Sequence, residues 1–292
     1  MTEARARAVL TRLGTFLDQF THCFGRQAHR TYASRYLQGL LNDSDRKSMQ
    51  PMHGRLSDPG SYQSLQHFIT HSSWAVRPFW RRLRELIPVR DGILAIDDTG
   101  FPKQGTASVG VRRQYCGAVG KIANCQIAVS TALIADGLAW LTSMELYLPE
   151  TWAADDAQRA RAQIPRSVPF REKWRIAVAH VRTVLAAGFT LEAVVADAGY
   201  GNIAAFRAAL ERLGVSYVVA VPYFVGARLA ADSPRESLAA LANRLAPSMW
   251  HRIRWGRGTK GPLAARFAAV RVRIAKSRSD RWLLCQASLV DD

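Results

Sequence analysis

The spacing of hydrophobic residues changes along the chain, and the changes separate three regions. From residue 3 to about residue 90, apolar residues recur at the i, i+3, i+4 spacing of amphipathic helices, beginning with Val9, Leu10, Leu13 and Phe16. Clusters of Asn, Asp, Ser, Pro and Gly interrupt this spacing at 42–45 and 57–60, where we expect loops. The pattern predicts an all-helical N-terminal domain over residues 1–90.

A mixed pattern of strands and helices follows in residues 91–222. Ile93–Ile96 is a short apolar run typical of a buried strand, and Asp97–Gly100 predicts a turn at its end. Further strands are predicted over 108–115, 123–134 and 140–148. We then expect a helix over 171–187 capped by Gly188, a strand over 191–196, a helix over 203–213 and a strand over 216–221. Antiparallel-type strands followed by αβαβ predict an α/β fold with helices on the faces of a mixed sheet.

The third region, residues 223–292, contains two strictly alternating segments. In residues 250–255 the apolar Ile253 and Trp255 alternate with Arg252 and Arg254, and residues 270–274 alternate in the same way around Arg271 and Arg273. A Gly-rich connection that includes Lys260 joins the two segments. We expect a β-ribbon with one apolar face and one arginine face. An ordinary solvated sheet face remains the alternative interpretation of those arginines.

The net charge of the chain favours some classes of binding partner over others. The 292 residues carry 40 Lys and Arg against 23 Asp and Glu, a formal net charge of +17. The basic residues concentrate in residues 1–90, with 14 against 6 acids, and in residues 243–281, with 11 against one. This balance favours a polyanion, with nucleic acid ahead of a membrane surface. The composition excludes a disordered, collagenous or disulfide-stapled chain.

Cysteine spacing and hydropathy give two further expectations. The four cysteines are far apart and form no C-x-x-C pair, which is typical of reduced thiols in a core. The most apolar stretch, Cys125–Leu141, is interrupted by polar residues and is too short to cross a bilayer, so no membrane association is expected. We expect a cytoplasmic, nucleoid-associated protein.

Two acidic positions follow predicted strands. Asp98 comes after the first strand of the mixed region, and Asp197 comes after the strand over 191–196. Ligands gather at the carboxyl ends of strands in open α/β sheets, so these carboxylates are candidates to hold Mg²⁺ together. A pair of such ions can promote phosphodiester chemistry. Ordinary turn chemistry is the competing interpretation of both positions.

Several sequence blocks can be compared with known families. The most specific blocks contain the two acids, Asp97-Asp98-Thr99-Gly100 and Ala196-Asp197-Ala198-Gly199-Tyr200-Gly201. Further blocks are Ser108–Gly117, Gly120–Gln126, Leu146–Trp152 and Gly258–Leu263. Together these blocks resemble the DDE-superfamily transposases of bacterial insertion sequences, and the resemblance covers nearly the whole chain.

The resemblance implies an RNase H-like catalytic core, a two-metal site with Mg²⁺ or Mn²⁺, and cut-and-paste DNA transposition. By the family pattern Asp98 matches the first acid and Asp197 the second. Asp97 is the alternative to Asp98, although strand alternation places the two on opposite faces. The partner would be double-stranded DNA, at transposon ends and target, with a homo-oligomer possible on the DNA. The residues predicted to bind DNA are Arg112, Arg113, Lys121, Arg252, Arg254, Lys260, Arg271 and Arg273.

The third acid of the family pattern is missing from its expected place. The family has a Glu in a helical Y-x-x-R-x-x-x-E pattern, but no Tyr after Asp197 is followed by Arg three residues on. Glu211 and Glu236 are the only glutamates after Asp197, and neither fits the pattern. We therefore expect a truncated β-rich insertion over 223–292 and a chain that stops before the third acid.

Three functions remain open at this stage. The first is an active transposase that cleaves and joins DNA at insertion-sequence ends. The second is a catalytically inactive, truncated transposase that only binds DNA. The third is a related metal-dependent nuclease or other phosphotransferase on the same core.

Overall fold

A computed structural model describes residues 3–43, 47–73, 75–230, 232–259, 261–274 and 280–289. The chain divides into two compact units, Met1–Glu192 and Ala193–Asp292, and each is described by itself below. The division of the sequence into regions 1–90, 91–222 and 223–292 stays a prediction.

The first unit begins with helices that share a small aromatic core. Phe20, Cys23, Phe24, Ala33 and Phe68 are buried together in it. The fourth helix begins at an N-cap, because Ser61 accepts a hydrogen bond from the backbone N–H of Ser64. The described part of this region is all helical, as the apolar spacing predicts. The helices are α1 (Glu3–Asp18), α2 (Gln27–Leu41), α3 (Met49–Gly54), α4 (Tyr62–His71) and α5 (Val76–Glu85).

Four antiparallel strands follow. They are β1 (Asp91–Pro102), β2 (Arg112–Cys116), β3 (Lys121–Ala135) and β4 (Leu138–Leu146). The long strand β3 pairs with β1 on one side and with β2 and β4 on the other. Odd-numbered residues in the middle of β3, including Ile127, Val129 and Leu133, are almost fully buried and form the inner face of the sheet.

The turn predicted at Asp97–Gly100 is wrong. These residues lie inside β1, which continues to Pro102 and pairs residue by residue with β3 without a bulge. Asp and Gly favour turns locally, but a continuous partner strand satisfies their backbone groups and overrides that preference. Asp98 therefore lies within a strand and not in the loop after it.

The first unit continues with helices and a strand that close its core. They are α6 (Glu150–Ala154), α7 (Asp156–Arg161), α8 (Lys173–Ala186) and the start of β5 (Thr190–Ala196). Helix α8 packs on β3 and β4 through an apolar side that includes Ile176, Val181 and Val184. Gly188 has φ +81° and ends α8, as predicted. No pattern in the sequence predicts α6, whose Trp152 donates its indole N–H to the carbonyl of Val111 at 2.8 Å.

The second unit contains the end of β5 and a separate antiparallel sheet. Residues Val194–Ala196 of β5 pair in parallel with β6 (Tyr217–Val219) after α9 (Ala198–Gly201) and α10 (Ala204–Arg212). The first sheet is therefore mixed, with the order β2-β3-β1-β5-β6 and β4 beside β3. The remaining elements are β7 (Gly226–Arg228), β8 (Glu236–Ser237), α11 (Leu238–Asn243), β9 (His251–Gly258), β10 (Gly261–Ile274) and β11 (Arg281–Ala287).

The second sheet has the order β11-β10-β7-β8, with β9 also paired to β10. Its core contains the buried side chains Ala227, Leu238, Leu241 and Val272. The two alternating segments are confirmed as strands within β9 and β10, but they do not pair with each other. Strand β9 pairs with residues 261–267 of β10, whereas residues 270–274 pair with β11 and β7. The mixed α/β class is confirmed as well. Among the described residues, no helix is both long and apolar enough to cross a bilayer.

Candidate active site

Asp98 lies in the middle of β1 on the inner face of the first sheet. It pairs with Val129, and the neighbours on its side of β1, Leu94 and Ile96, are at most 3% exposed. The side chain of Asp98 is 29% exposed, so it is the polar end of an otherwise apolar row. A carboxylate beside apolar neighbours is stabilised by a polar or charged partner.

Lys173 supplies that partner. Its ammonium forms an ion pair with Oδ2 of Asp98, although 75 residues separate the two positions in the sequence. Lys173 is the first residue of α8, and its ammonium also lies 5.6 Å from the centre of the Tyr147 ring. Sequence reasoning missed Lys173, since no motif or spacing links it to the first acid.

Asp97 lies on the other face of β1. It pairs with Ser130, is exposed, and accepts the backbone N–H of Asp98 at its Oδ1 oxygen over 2.7 Å. The alternation of the strand therefore separates the two neighbouring carboxylates, as the sequence predicts. Of the two, Asp98 is the one on the face that α8 covers.

Glu145 is a second carboxylate on the face of Asp98. It lies on β4 opposite Val129, which pairs with Asp98 on its other side. Arg171 forms an ion pair with Glu145, and Nε2 of the buried His180 lies 3.8 Å from its Oε2. The interaction with His180, followed by that with Arg171, outweighs burial and lowers the pKa of Glu145. Sequence reasoning did not identify this residue.

The basic residues of the β2–β3 hairpin are divided between the two faces. Arg112 pairs with Cys125 and Lys121 pairs with Cys116, so both lie on the face of Asp98. Arg113 pairs with Asn124 and lies on the opposite face. All three side chains are exposed. The face of Asp98 therefore carries two exposed cations that can reach a phosphate backbone.

Asp197, in the second unit, directly follows β5, as predicted. Its Oδ1 accepts hydrogen bonds from the backbone N–H groups of Gly199 at 3.0 Å and Tyr200 at 3.3 Å, so it is the N-cap of α9. The next turn packs tightly, because a Cβ on Gly201 would lie 1.9 Å from the carbonyl oxygen of Ala220. The cap holds the Asp197 carboxylate in one orientation at the end of the strand.

The two later glutamates are both engaged by arginines. Glu211 on α10 accepts hydrogen bonds from Arg281 and from the hydroxyl of Tyr217, each at 2.6 Å. Glu236 lies on β8, just before α11, and forms an ion pair with Arg244 at 2.6 Å. Both contacts lie within the second unit. The ion pairs with arginine give Glu211 and Glu236 a structural role.

The arginines of the ribbon do not form one face. Arg252 pairs with Arg266 and Arg254 with Ala264, so both lie on the side of the even-numbered residues of β10. Arg271 and Arg273 are odd-numbered residues of the same strand and project from the other side. The predicted arginine face is therefore wrong, because residue alternation within each strand does not determine the register between strands. Lys260 lies outside the described residues.

The donor chemistry of the two acids fits a hard divalent cation. Asp98 already binds a cation, the ammonium of Lys173, and the hydrogen bonds of Asp197 leave its Oδ2 oxygen for a further ligand. Mg²⁺ in proteins is held by one or two carboxylates together with water and phosphate oxygens. Within the described ranges, no three His, Cys, Asp or Glu side chains come close enough to form a complete metal site on their own.

Comparison with known proteins gives three findings. Residues 19–262 match the family described as DDE superfamily endonuclease. The chain is 30% identical over 195 residues to the probable transposase for insertion sequence element IS701 of Microchaete diplosiphon. That alignment covers 65% of this chain and 48% of the relative, so the chain spans about half the length of that protein.

A solved structure, the Drosophila P element transposase strand transfer complex, is similar at a TM-score of 0.23 and 10% identity. The similarity covers 78% of this chain and 54% of that one. At this TM-score it carries no argument about the fold.

Proposed function

The chain belongs to the DDE superfamily of endonucleases, and from this premise we propose that it is an insertion-sequence transposase that cleaves and joins DNA. In this proposal the mixed sheet is an RNase H-like core. Asp98 and Asp197 are its first two metal-binding acids, and Mg²⁺ or Mn²⁺ is the cofactor.

The observation that carries the proposal is the position of Asp98. A partly exposed carboxylate within a strand, at the polar end of an apolar row and paired with a cation, adds no apolar packing to the core and is a candidate to serve a site. The neighbouring Asp97 lies on the opposite face of β1. An acidic residue in this segment therefore need not point to the inner face, as Asp98 does. The match to the DDE superfamily of endonucleases supports phosphodiester chemistry at this position.

The chain's own residues would perform three tasks. Asp98 and Asp197 would hold the divalent ions, and the N-cap hydrogen bonds would keep the Asp197 carboxylate oriented. Arg112 and Lys121, on the face of Asp98, would bind phosphates of the DNA and fix the position of the DNA strand on the protein. The ions, when bound, would activate a water or a 3′-hydroxyl and stabilise the leaving oxygen of the phosphodiester.

A DNA-binding protein without cleavage activity is the second candidate. The observation that favours it is the engagement of Glu211 and Glu236 by Arg281 and Arg244, since neither glutamate is then available as a third acid. Under this alternative the basic residues would still bind duplex DNA in a salt-dependent manner.

Cleavage of a DNA fragment that carries insertion-sequence ends, in Mg²⁺ or Mn²⁺, separates the candidates. For an active transposase we expect cleavage at the ends that is lost in Asp98→Asn and in Asp197→Asn. Asparagine suits this test at position 197 because its side-chain oxygen can keep the N-cap hydrogen bonds while the charge is removed.

Asp97→Asn is the matched control, because it removes a carboxylate from the neighbouring position on the opposite face. It should leave cleavage unchanged. Duplex binding without cleavage by the unmodified chain would favour the second candidate. Cleavage that survives Asp98→Asn would contradict the assigned metal ligand, and cleavage with no preference for the ends would indicate a general nuclease.

A further inference from the structure

Lys173 occupies an electrostatically unfavourable position within its own helix. It is the first residue of α8, where the exposed N–H groups and the helix dipole repel a positive charge. The preceding Glu172 does not compensate it, because its carboxylate pairs with Arg175 at 2.9 Å. The favourable contacts of the Lys173 ammonium are therefore the carboxylate of Asp98 and the ring of Tyr147.

The ion pair between Lys173 and Asp98 is accessible to solvent ions. The two side chains are 37% and 29% exposed, so water and dissolved cations can reach both charges. A pair of this exposure is weak enough to exchange, since solvent-exposed ion pairs contribute little to stability. A divalent ion on the same carboxylate would repel the ammonium and replace it.

We propose that Lys173 is an exchangeable counter-ion of Asp98, which neutralises the carboxylate until a divalent metal ion binds and then leaves it. This inference rests on the proposed function, in which Asp98 is a metal ligand. Lys173 is in this role a positioning residue, because it acts through Asp98. The Tyr147 ring, which packs against the buried cluster of Cys116, Cys125 and Ile127, gives the released ammonium a second favourable contact.

The exchange predicts a gain of metal affinity when the competing charge is removed. We expect Lys173→Met to bind Mn²⁺ about two- to five-fold more tightly than the unmodified chain, the range that corresponds to loss of a partly exposed ion pair. Lys173→Arg retains a cation with a planar donor group and should bind Mn²⁺ no more tightly than the unmodified chain. The measurement is a Mn²⁺ titration of the full chain without DNA, followed by electron paramagnetic resonance.

Arg171→Met is the matched control. Arg171 precedes Lys173 by two residues and contacts Glu145 instead of Asp98, so its loss changes the net charge equally without releasing Asp98. We expect its Mn²⁺ affinity to change less than two-fold. If Arg171→Met and Lys173→Met raised the affinity for Mn²⁺ equally, the change in net charge would explain both results. That outcome would overturn the proposed exchange of Lys173 for a metal ion. Circular dichroism checks that each variant is folded.

Asp98→Asn distinguishes failure of this inference from failure of the proposed function. If Asp98→Asn leaves Mn²⁺ affinity unchanged, Asp98 is not a metal ligand and the proposed function loses its first acid. If Asp98→Asn weakens binding and Lys173→Met does not tighten it, the metal site stands and the exchange is wrong. A Lys173→Arg variant that binds Mn²⁺ more tightly than the unmodified chain would also overturn the exchange, even if Lys173→Met does not fold.

Discussion

Arg252 and Arg271 project from opposite faces of the C-terminal sheet. Arg252 pairs with Arg266 of β10, and Arg271 is five positions after Arg266. Because this offset is odd, Arg271 points to the other side of the strand. The two faces also differ in what surrounds their arginines. Arg271 lies 4.6 Å from the ring of Trp282, and Arg273 forms an ion pair with Asp280 at 2.9 Å, whereas Arg252 and Arg254 are exposed.

A straight duplex can lie on one face of this sheet, and we expect it to use the face of Arg252. The double variant Arg252→Ala/Arg254→Ala should weaken duplex binding at low salt about ten-fold. It should also lower the slope of log affinity against log salt by about 2, one unit for each lost phosphate contact. Fluorescence anisotropy of a labelled duplex over a series of salt concentrations measures both quantities.

The double variant Arg271→Ala/Arg273→Ala removes the same charge from the other face and serves as the control. Its salt slope should fall by less than 1, because these arginines already have partners within the unit. Equal losses in the two double variants would show that binding depends on net charge and not on one face.

The tight turn after Asp197 should be sensitive to a single methyl group. In Gly201→Ala the new Cβ would lie 1.9 Å from the carbonyl oxygen of Ala220, so α9 or β6 must move. We expect a loss of about 1–3 kcal/mol in the free energy of unfolding, measured by urea denaturation. Gly117→Ala is the control, because a Cβ there meets no described atom within 4 Å. Equal stability of the two variants would contradict the packing at Gly201.

The contacts of Glu211 predict a pH dependence of stability. Burial raises the pKa of Glu211, but the hydrogen bonds from Tyr217 and Arg281 outweigh it and hold the pKa below its ordinary value. A carboxylate whose pKa is lowered by folding stabilises the protein above its unfolded-state pKa. That stabilisation is lost as the pH falls through the lower folded-state pKa.

Urea denaturation at several pH values, from neutral down to about pH 3, tests this dependence; unperturbed glutamate has a pKa of about 4.3. Glu211→Gln should be less stable than the unmodified chain at neutral pH, and the difference should shrink as the pH falls. Arg281→Met removes the cation that interacts with Glu211. In a chain that carries Arg281→Met, the further change Glu211→Gln should therefore cost less stability at neutral pH. A gap between Glu211→Gln and the unmodified chain that stays constant with pH would contradict the assigned shift.

Two buried hydroxyl groups join β3 to β4. Oγ1 of Thr131 lies 2.9 Å from Oγ1 of Thr142, and Thr142 is the extra residue of a bulge in β4. Thr142→Val leaves the Thr131 hydroxyl without this partner, and we expect a loss of about 1–3 kcal/mol in the free energy of unfolding. The double variant Thr131→Val/Thr142→Val should lose less than the sum of the single variants, since neither hydroxyl is then left behind. If the losses in the free energy of unfolding were additive, the hydroxyl groups of Thr131 and Thr142 would not be coupled.

Local patterns predicted much of the fold. Helical spacing identified the N-terminal helices, and alternating residues identified β9 and β10. Gly188 was predicted as the end of α8, because its left-handed conformation is a property of one residue and its neighbours. Local preference failed at Asp97–Gly100, where pairing with β3 replaces the expected turn.

The sequence by itself determined the family, the two candidate acids and the opposite orientation of Asp97 and Asp98, because motifs and strand alternation depend on residues close together in the chain. Only the tertiary structure decided that Asp98 lies within a strand, that Lys173 pairs with it, and that Arg252 and Arg271 face opposite sides. These features depend on strand register and on contacts between residues far apart in the sequence. Such contacts form only when the whole core packs, so no local pattern records them.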